Sequence, residues 1–189
     1  MHLVIGINTI ILRVGRNIAW VALALMVGVI LLQVFFRYIL NDALNWPDEA
    51  ARFLMLWMTG LIAPSAFRWG GFVAIDMLPL ALPKKFGLIL SLFLFLMSAM
   101  VLWIGMGLGW GHAMGFGGKF DSASLRVPLD LIGGETVKVK LRYMYGSLLV
   151  GVFLLFLVNI ELILRTIFAL FRPDIELPTD APATSMETD

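Results

Sequence analysis

The sequence predicts an all-α integral membrane protein with four transmembrane helices. Its residues are 60% hydrophobic and 14% charged, whereas a soluble domain is about half apolar and a quarter charged. Four stretches contain no Asp, Glu, Lys or Arg: 18–36, 53–67, 86–110 and 143–160. Such runs are typical of spans, because charge is costly in hydrocarbon. We predict one membrane domain over residues 1–172, with spans at about 17–38, 47–67, 86–110 and 142–164.

The first span is bordered by aromatic residues. Trp20 lies near its start and Tyr38 follows its end, as expected for aromatic side chains at the two membrane interfaces. Arg13 and Arg16 precede the apolar run, as they would in a signal peptide. No small-x-small cleavage site follows the run, however, so we expect the segment to be retained as a span.

The second span is short. Its charge-free part, residues 53–67, would cover about 22 Å of a hydrocarbon core that is about 30 Å thick. The span must therefore include Glu49 and Arg52 or be sheltered by other protein. Asn45 is a candidate cap for this helix, and Pro47 is tolerated in a first turn.

Charged residues at the start of the second span are spaced for pairing. Glu49 and Arg52 are three residues apart, and Asp48 and Arg52 are four apart. On a helix these spacings put the carboxylates and the guanidinium on one face. We therefore predict that Arg52 pairs with one of these acids at the membrane edge. Solvated charges at the surface and a buried contact to a partner are the two alternative interpretations of these residues.

Residues 68–85 connect spans two and three and predict an interfacial segment. They are interrupted by Gly70, Gly71, Pro79 and Pro83, although most of 72–82 is apolar. This pattern is too broken for a span and favours a position at the membrane surface. Asp76 is expected at this interface too.

The end of the third span carries glycines at every second position. On a helix they form two small-xxx-small pairs, Gly105/Gly109 and Gly107/Gly111. Such pairs permit two helices to approach closely. Contact with a partner and ordinary packing within the chain both explain them.

The rest of the chain contains a polar loop, a fourth span and a tail. Residues 137–141 alternate like a short strand or lead directly into span four. Glu161 and Arg165 form a predicted i,i+4 pair at the end of that span. Residues 173–189 are acidic and rich in Pro and Thr, which predicts a disordered tail.

Composition excludes several functions. The net charge of +1 gives no basic excess for nucleic acid, and the absence of cysteine excludes thiolate chemistry. His2 and His112 do not suit a membrane haem, and no serine has a nearby base within its span. We predict no catalytic residue, cofactor or metal site. Because the middle of every span is uncharged, the chain alone is poorly equipped to bind an ion or charged solute there.

Orientation rests on a small charge difference. With four spans, seven Lys and Arg residues fall on each side of the membrane. Arg13 and Arg16 precede the first span, which usually dominates, and Arg52 is expected to be neutralised by its neighbouring acids. Both termini are therefore predicted to be cytoplasmic.

The start of the second span resembles a known signature. Trp46-Pro47-Asp48-Glu49-Ala50-Ala51-Arg52-Phe53, followed by Trp57, Gly60, Ala63 and Arg68, resembles the W-x-E-E-x-x-R region of DctQ-like proteins. These are the small membrane subunits of tripartite ATP-independent periplasmic (TRAP) transporters. The resemblance continues at 68–76 and 122–128, and in spacing and hydropathy it covers roughly 15–165. Phe72 stands where the family often has histidine, and about ten residues around 131–136 look inserted.

The resemblance implies partners rather than an activity. A large polytopic subunit would carry an organic acid with sodium, a periplasmic solute-binding protein would deliver it, and this chain would brace the large subunit in the bacterial inner membrane. The residues implied at the subunit contact or membrane edge are Trp46, Glu49, Arg52, Trp57, Gly60, Arg68, Asp76, Gly105 and Gly109. The alternative is a self-contained homo-oligomeric four-helix channel or small carrier, and a membrane enzyme is the weakest reading.

Overall fold

The computed structural model describes residues 2–42, 44–69, 82–127 and 137–171. They form four long helices, α1 (His2–Tyr38), α2 (Pro47–Arg68), α3 (Lys84–Met114) and α4 (Arg142–Phe171). Between α3 and α4 lie a short 3-10 helix (Phe116–Lys119) and two strands, β1 (Asp121–Val127) and β2 (Val137–Lys140). All four helices are long and apolar enough to cross a membrane, which confirms the predicted fold class.

The helices differ in length, and three of them extend beyond the predicted spans. Helix α1 has 37 residues, about 56 Å, and begins at His2 rather than near residue 17. Helices α3 and α4 end at Met114 and Phe171, past the predicted ends at 110 and 164. Helix α2 has 22 residues, about 33 Å. The short helix is therefore the element whose length matches one bilayer crossing.

Helix α2 lies between two longer neighbours. It packs against α1 on one side and α4 on the other, and α3 packs against α4. The spatial order is thus α1, α2, α4, α3. Helices α2 and α4 run in the same direction, because Gly60 contacts Gly151 and, farther along both helices, Arg68 contacts Glu161. This arrangement provides part of the protein cover that the short second span requires.

Asn45, the predicted N-cap of α2, does not cap this helix. The N-cap residue is Trp46, and no side chain makes a capping hydrogen bond. Pro47 is the first helical residue, so one of the N–H groups that a cap would satisfy does not exist. Asp48 and Glu49 occupy the first turn, where negative charge is favoured by the helix dipole.

Two glycines let α2 and α4 touch at the backbone. A Cβ atom added to Gly60 would lie 2.7 Å from the carbonyl oxygen of Ser147, and one added to Gly151 would lie 2.9 Å from Cα of Gly60. Both separations are shorter than a van der Waals contact. Gly60 therefore serves a contact inside the chain.

The strands form an antiparallel hairpin beside the start of α4. Val127 pairs with Val137, and Asp121 pairs with Lys140. The backbone N–H of Leu141 donates to the carbonyl of Phe120 at 3.0 Å, which ties the hairpin to the helix. The strand reading of residues 137–140 is confirmed. Most of the expected interfacial segment, at residues 70–81, and the expected tail at 173–189 lie outside the described residues.

Replacing Gly60 with alanine should destabilise the protein, because the added methyl group has no space against the α4 backbone. We expect the free energy of unfolding to fall by about 1–3 kcal/mol, as in other overpacked sites. Gly107→Ala is the matched control, because no atom lies within 4 Å of a Cβ added there. Thermal unfolding of both variants in one detergent measures the effect, and equal stability of Gly60→Ala and wild type would contradict the close contact.

Candidate functional site

The first polar site joins the start of α2 to the hairpin. Glu49 Oε1 accepts a hydrogen bond from the N–H of Ala123 at 3.1 Å. Its Oε2 accepts from the N–H of Ser124 at 2.6 Å, the Ser124 hydroxyl at 2.7 Å and the N–H of Leu125 at 2.9 Å. One carboxylate thus holds three consecutive residues of β1 against the helix.

This contact brings together two segments that are far apart in the sequence. Three successive backbone N–H groups converge on Glu49, and such groups form a concave binding site for an anion. The carboxylate belongs to the 46–53 pattern and the N–H groups to the 122–128 pattern that the sequence analysis selected separately. The two patterns are therefore the two halves of one contact.

Arg52 does not take part in this site, so the predicted pairing of Arg52 with Glu49 or Asp48 is wrong. Asp48 Oδ1 instead accepts a hydrogen bond from Gln33 Nε2 of α1 at 2.9 Å. Arg52 is exposed and forms no ion pair or hydrogen bond with the residues that the structure describes. The physical reason is that an exposed pair on one helix gains only about 0.3–0.5 kcal/mol, whereas β1 offers Glu49 several fixed donors.

Of the predicted tryptophans, Trp46 directly precedes α2 and Trp57 lies near the middle of this helix. Trp57 Nε1 donates to the carbonyl of Tyr143 at 3.1 Å, which connects α2 to the first turn of α4. Trp46 is partly exposed just before α2. Trp57 therefore serves a contact between helices of this chain, while Trp46 remains available at the edge.

The second polar site lies at the opposite end of α2. Arg68 Nε and Nη2 donate to Glu161 Oε1 at 3.1 and 2.9 Å. The two side chains are 5% and 1% exposed, so this ion pair is removed from solvent and lipid. It links the last residue of α2 to α4.

Helix α1 and a second arginine complete the cluster around Glu161. Asn8 Nδ2 donates to Glu161 Oε2 at 2.7 Å, and Arg68 Nη1 donates to the Thr9 hydroxyl at 2.8 Å. Arg165 Nη2 donates to Glu161 Oε1 at 2.6 Å. Three helices therefore meet at one carboxylate.

Sequence reasoning found part of this cluster. The Glu161/Arg165 pair is confirmed. Asn8 and Thr9 were missed because they precede the predicted first span, and the Arg68–Glu161 pair was missed because nothing in local spacing relates these residues. The sequence did contain an indication of the Arg68–Glu161 pair. Spans two and four run in the same direction, and both carry a charged residue near the same end.

These polar groups hold elements of the chain together. Both oxygens of Glu161 accept hydrogen bonds from this chain, and Glu49 is bound in the same way by β1. Within the ranges that the structure describes, no group of three His, Cys, Asp or Glu residues could hold a metal ion.

The remaining predicted site residues divide between the interior and the surface. Cβ atoms added to Gly105 and Gly109 would lie 3.6 and 3.5 Å from α4 atoms of Val152 and Leu149, whereas Gly107 and Gly111 face open space. The first glycine pair therefore packs within the chain. Asp76 lies outside the described residues.

Comparison with known proteins gives one family. The model of the DctQ component of tripartite ATP-independent periplasmic transporters matches residues 26–169. The matched region includes the Glu49–β1 contact and both partners of the Arg68–Glu161 pair. Neither a curated protein nor a solved structure gives a significant match.

Replacing Arg68 with glutamine should destabilise the protein strongly, because it removes one guanidinium from a buried carboxylate. Loss of one partner from a buried ion pair costs about 3–5 kcal/mol. Arg52→Gln is the control with the same charge change on the same helix, and it should have an effect below about 0.5 kcal/mol. Thermal unfolding in detergent checks the difference. Equal melting temperatures for the two variants would show that the cluster contributes no stability.

Replacing Glu49 with glutamine should loosen the hairpin, because an amide keeps only one acceptor oxygen and loses the negative charge. We expect local stability to fall by about 1–3 kcal/mol, the usual range for hydrogen bonds to a charged group. Hydrogen–deuterium exchange of residues 121–127 reports the effect directly. Asp48→Asn is the neighbouring control, and unchanged protection of β1 in Glu49→Gln would refute the role of this carboxylate.

Proposed function

The chain belongs to the DctQ family of TRAP transporter components, and from this membership we propose that it is the small membrane subunit that braces a large solute-translocating subunit. The bracing role is supported by the partners of the acidic side chains in the spans, which all belong to this chain. Glu49 binds the hairpin and Glu161 binds two arginines and Asn8. Both carboxylates thus maintain the shape of the chain and are not free to bind a solute or ion.

The exposed surface of the helices supports a partner in the membrane. Helix α2 is the least apolar of the four candidate spans, and Arg52 near its start is exposed. An apolar groove of about 380 Å³ lies between α2, α3 and α4, lined by residues such as Phe67, Val101 and Leu155. Lipid or a helix of another subunit can cover such a surface, and the family membership favours a subunit.

The finer assignments follow from the family resemblance. The large subunit would carry an organic acid with sodium, and a periplasmic solute-binding protein would deliver that acid. The location would be the bacterial inner membrane. The family is one of transporter components and not of enzymes, so the proposed role is assembly and support.

The proposed orientation places both termini in the cytoplasm and the hairpin in the periplasm. The charges of α1 support it, since Arg13 and Arg16 precede the apolar part of this helix. The native chain lacks cysteine, so single cysteines at Lys138 in β2 and at Thr184 can be probed with an impermeant thiol reagent. Cells with a permeabilised outer membrane should label Lys138→Cys and protect Thr184→Cys, and the opposite pattern would reverse the orientation.

Co-purification tests the bracing role itself. The tagged chain, expressed together with the genes beside it, should elute in mild detergent with a large polytopic subunit, and solute uptake should require both. Expression of the tagged chain alone is the control. A monodisperse homo-oligomer that excludes the large subunit and conducts ions in liposomes would favour the self-contained channel instead.

A further inference from the structure

Helices α2 and α3 are the two walls of an open groove whose floor is α4. Both helices pack along α4, whereas their described residues do not pack closely on each other. One section of the groove, about 380 Å³, lies between Phe67 and α3, and a second section, about 220 Å³, lies beside Gly60 and Gly151. Leu155 lines both sections. They are therefore neighbouring parts of one groove.

Short side chains line the section of the groove beside Gly60. Thr59 and Ala63 of α2 lie on one side, and Ser147 and Gly151 of α4 form the floor. Small residues let the backbone of a further helix approach closely, and they are enriched where helices meet in membranes. Because a lipid acyl chain has no need of such residues, this lining favours a helix as the occupant.

The groove face of α2 also carries more polar groups than a surface in contact with lipid. This helix is the least apolar of the four candidate spans, and the exposed residues on its groove face include Arg52 and Thr59. Charged residues within membrane spans are rare on surfaces that face lipid and usually face other protein. The composition of this face therefore also favours a protein occupant.

Arg52 lies on the groove face of α2. It precedes Leu56 by four residues, Thr59 by seven and Ala63 by eleven, and these spacings return to one face of a helix. All three of these residues line the groove. Arg52 is exposed, about 8 Å along the axis from the first residue of α2. It therefore lies at the end of the groove nearest the hairpin.

The acids that neighbour Arg52 have other partners. Glu49 accepts hydrogen bonds from β1, and Asp48 accepts one from Gln33. Arg52 forms no ion pair or hydrogen bond with the residues that the structure describes. Its guanidinium has five N–H donors in a planar fork that matches a carboxylate. The partner of this cation is thus to be sought outside the described chain.

We propose that the groove holds a transmembrane helix of the large subunit and that a carboxylate of this helix pairs with Arg52. The inference rests on the proposed function and adds the surface and the chemistry of the contact. The occupying helix has short side chains where it crosses Gly60 and Gly151, and an Asp or Glu in the turn beside Arg52. The apolar contact supplies the area, and the ion pair fixes the depth of the helix in the groove.

Photo-crosslinking in the assembled complex tests the occupant. The chain is co-expressed with the large subunit that is encoded beside it, and benzoylphenylalanine is placed at Leu148, which lines the groove and is 57% exposed. Leu96 is the matched control, because it is 52% exposed but lies two residues from Leu94 and Ser98 of the lining, on another side of α3. Irradiation should join Leu148 to the large subunit about fivefold more efficiently than Leu96, since only Leu148 faces the occupant.

Charge substitutions test the ion pair. Arg52→Gln should weaken the isolated complex about tenfold in a dissociation titration, as expected when one partner of a hydrogen-bonded charge pair is removed. Arg142→Gln is the control, since Arg142 is exposed at the start of α4 but does not line the groove, and it should change the affinity less than about twofold. Both variants of the chain alone should melt like wild type, which separates assembly from folding.

A charge exchange completes the test. Mass spectrometry of the Leu148 product identifies the helix of the large subunit, and the acid on that helix is replaced by arginine in combination with Arg52→Glu. The exchanged pair should recover most of the affinity that Arg52→Glu loses. Normal affinity of Arg52→Gln, or no recovery with any acid of that helix, would overturn the ion pair.

The outcomes distinguish this inference from the proposed function. Failure of the wild-type chain to bind the large subunit would overturn both. A wild-type complex in which Leu148 cross-links no better than Leu96 would overturn the groove contact alone. A Leu148 product with lipid or with a second copy of the chain, in place of the large subunit, would assign the groove to that occupant instead.

Discussion

The ion pair between Arg68 and Glu161 is the interaction on which the arrangement of helices at one end of the protein depends. Removal of two charges from water is costly unless each charge is paired and its remaining donors or acceptors are satisfied. Here α1 supplies Asn8 and Thr9, and α4 supplies Arg165 beside the glutamate. A shift of one helix along another would separate these polar groups, so the cluster favours the observed alignment of the three helices.

The positions of the buried charges bear on the role of the chain in transport. A subunit that carried a charged solute across the bilayer would need ionisable groups deep in its spans, whereas this chain keeps its buried charges at the ends and binds them internally. The long apolar surfaces of α1 and α3 and the groove beside α4 need cover from lipid or protein. These properties agree with the proposed supporting role, because a support must keep a fixed shape within the membrane.

The sequence predicts the helices well and the long-range polar contacts poorly, and of the local pairs that it predicts only Glu161/Arg165 forms. Charge-free runs are sufficient to predict four spans, and the Glu161/Arg165 spacing is sufficient to predict that pair. The partner of Glu49 could not be predicted in this way, since β1 lies more than 70 residues away and offers backbone N–H groups that any residue type carries. Local spacing instead favoured Arg52, which shares a helix face with Glu49 but competes against better donors. Asn8 was missed because a polar residue before an apolar run is normally outside the membrane domain.

Three separate attachments along α2 have a mechanical consequence. The helix is fixed near its start by Glu49 through the hairpin that continues into α4, near its middle by the Gly60–Gly151 backbone contact, and at its end by Arg68. Two helices in contact at a single point can rotate about that point. Contacts at three points over about 29 Å oppose both sliding and rotation of α2 relative to α4. We therefore infer that α2 and α4 move as one rigid unit, so that a displacement of this helix pair at one face of the membrane is passed on to the other face.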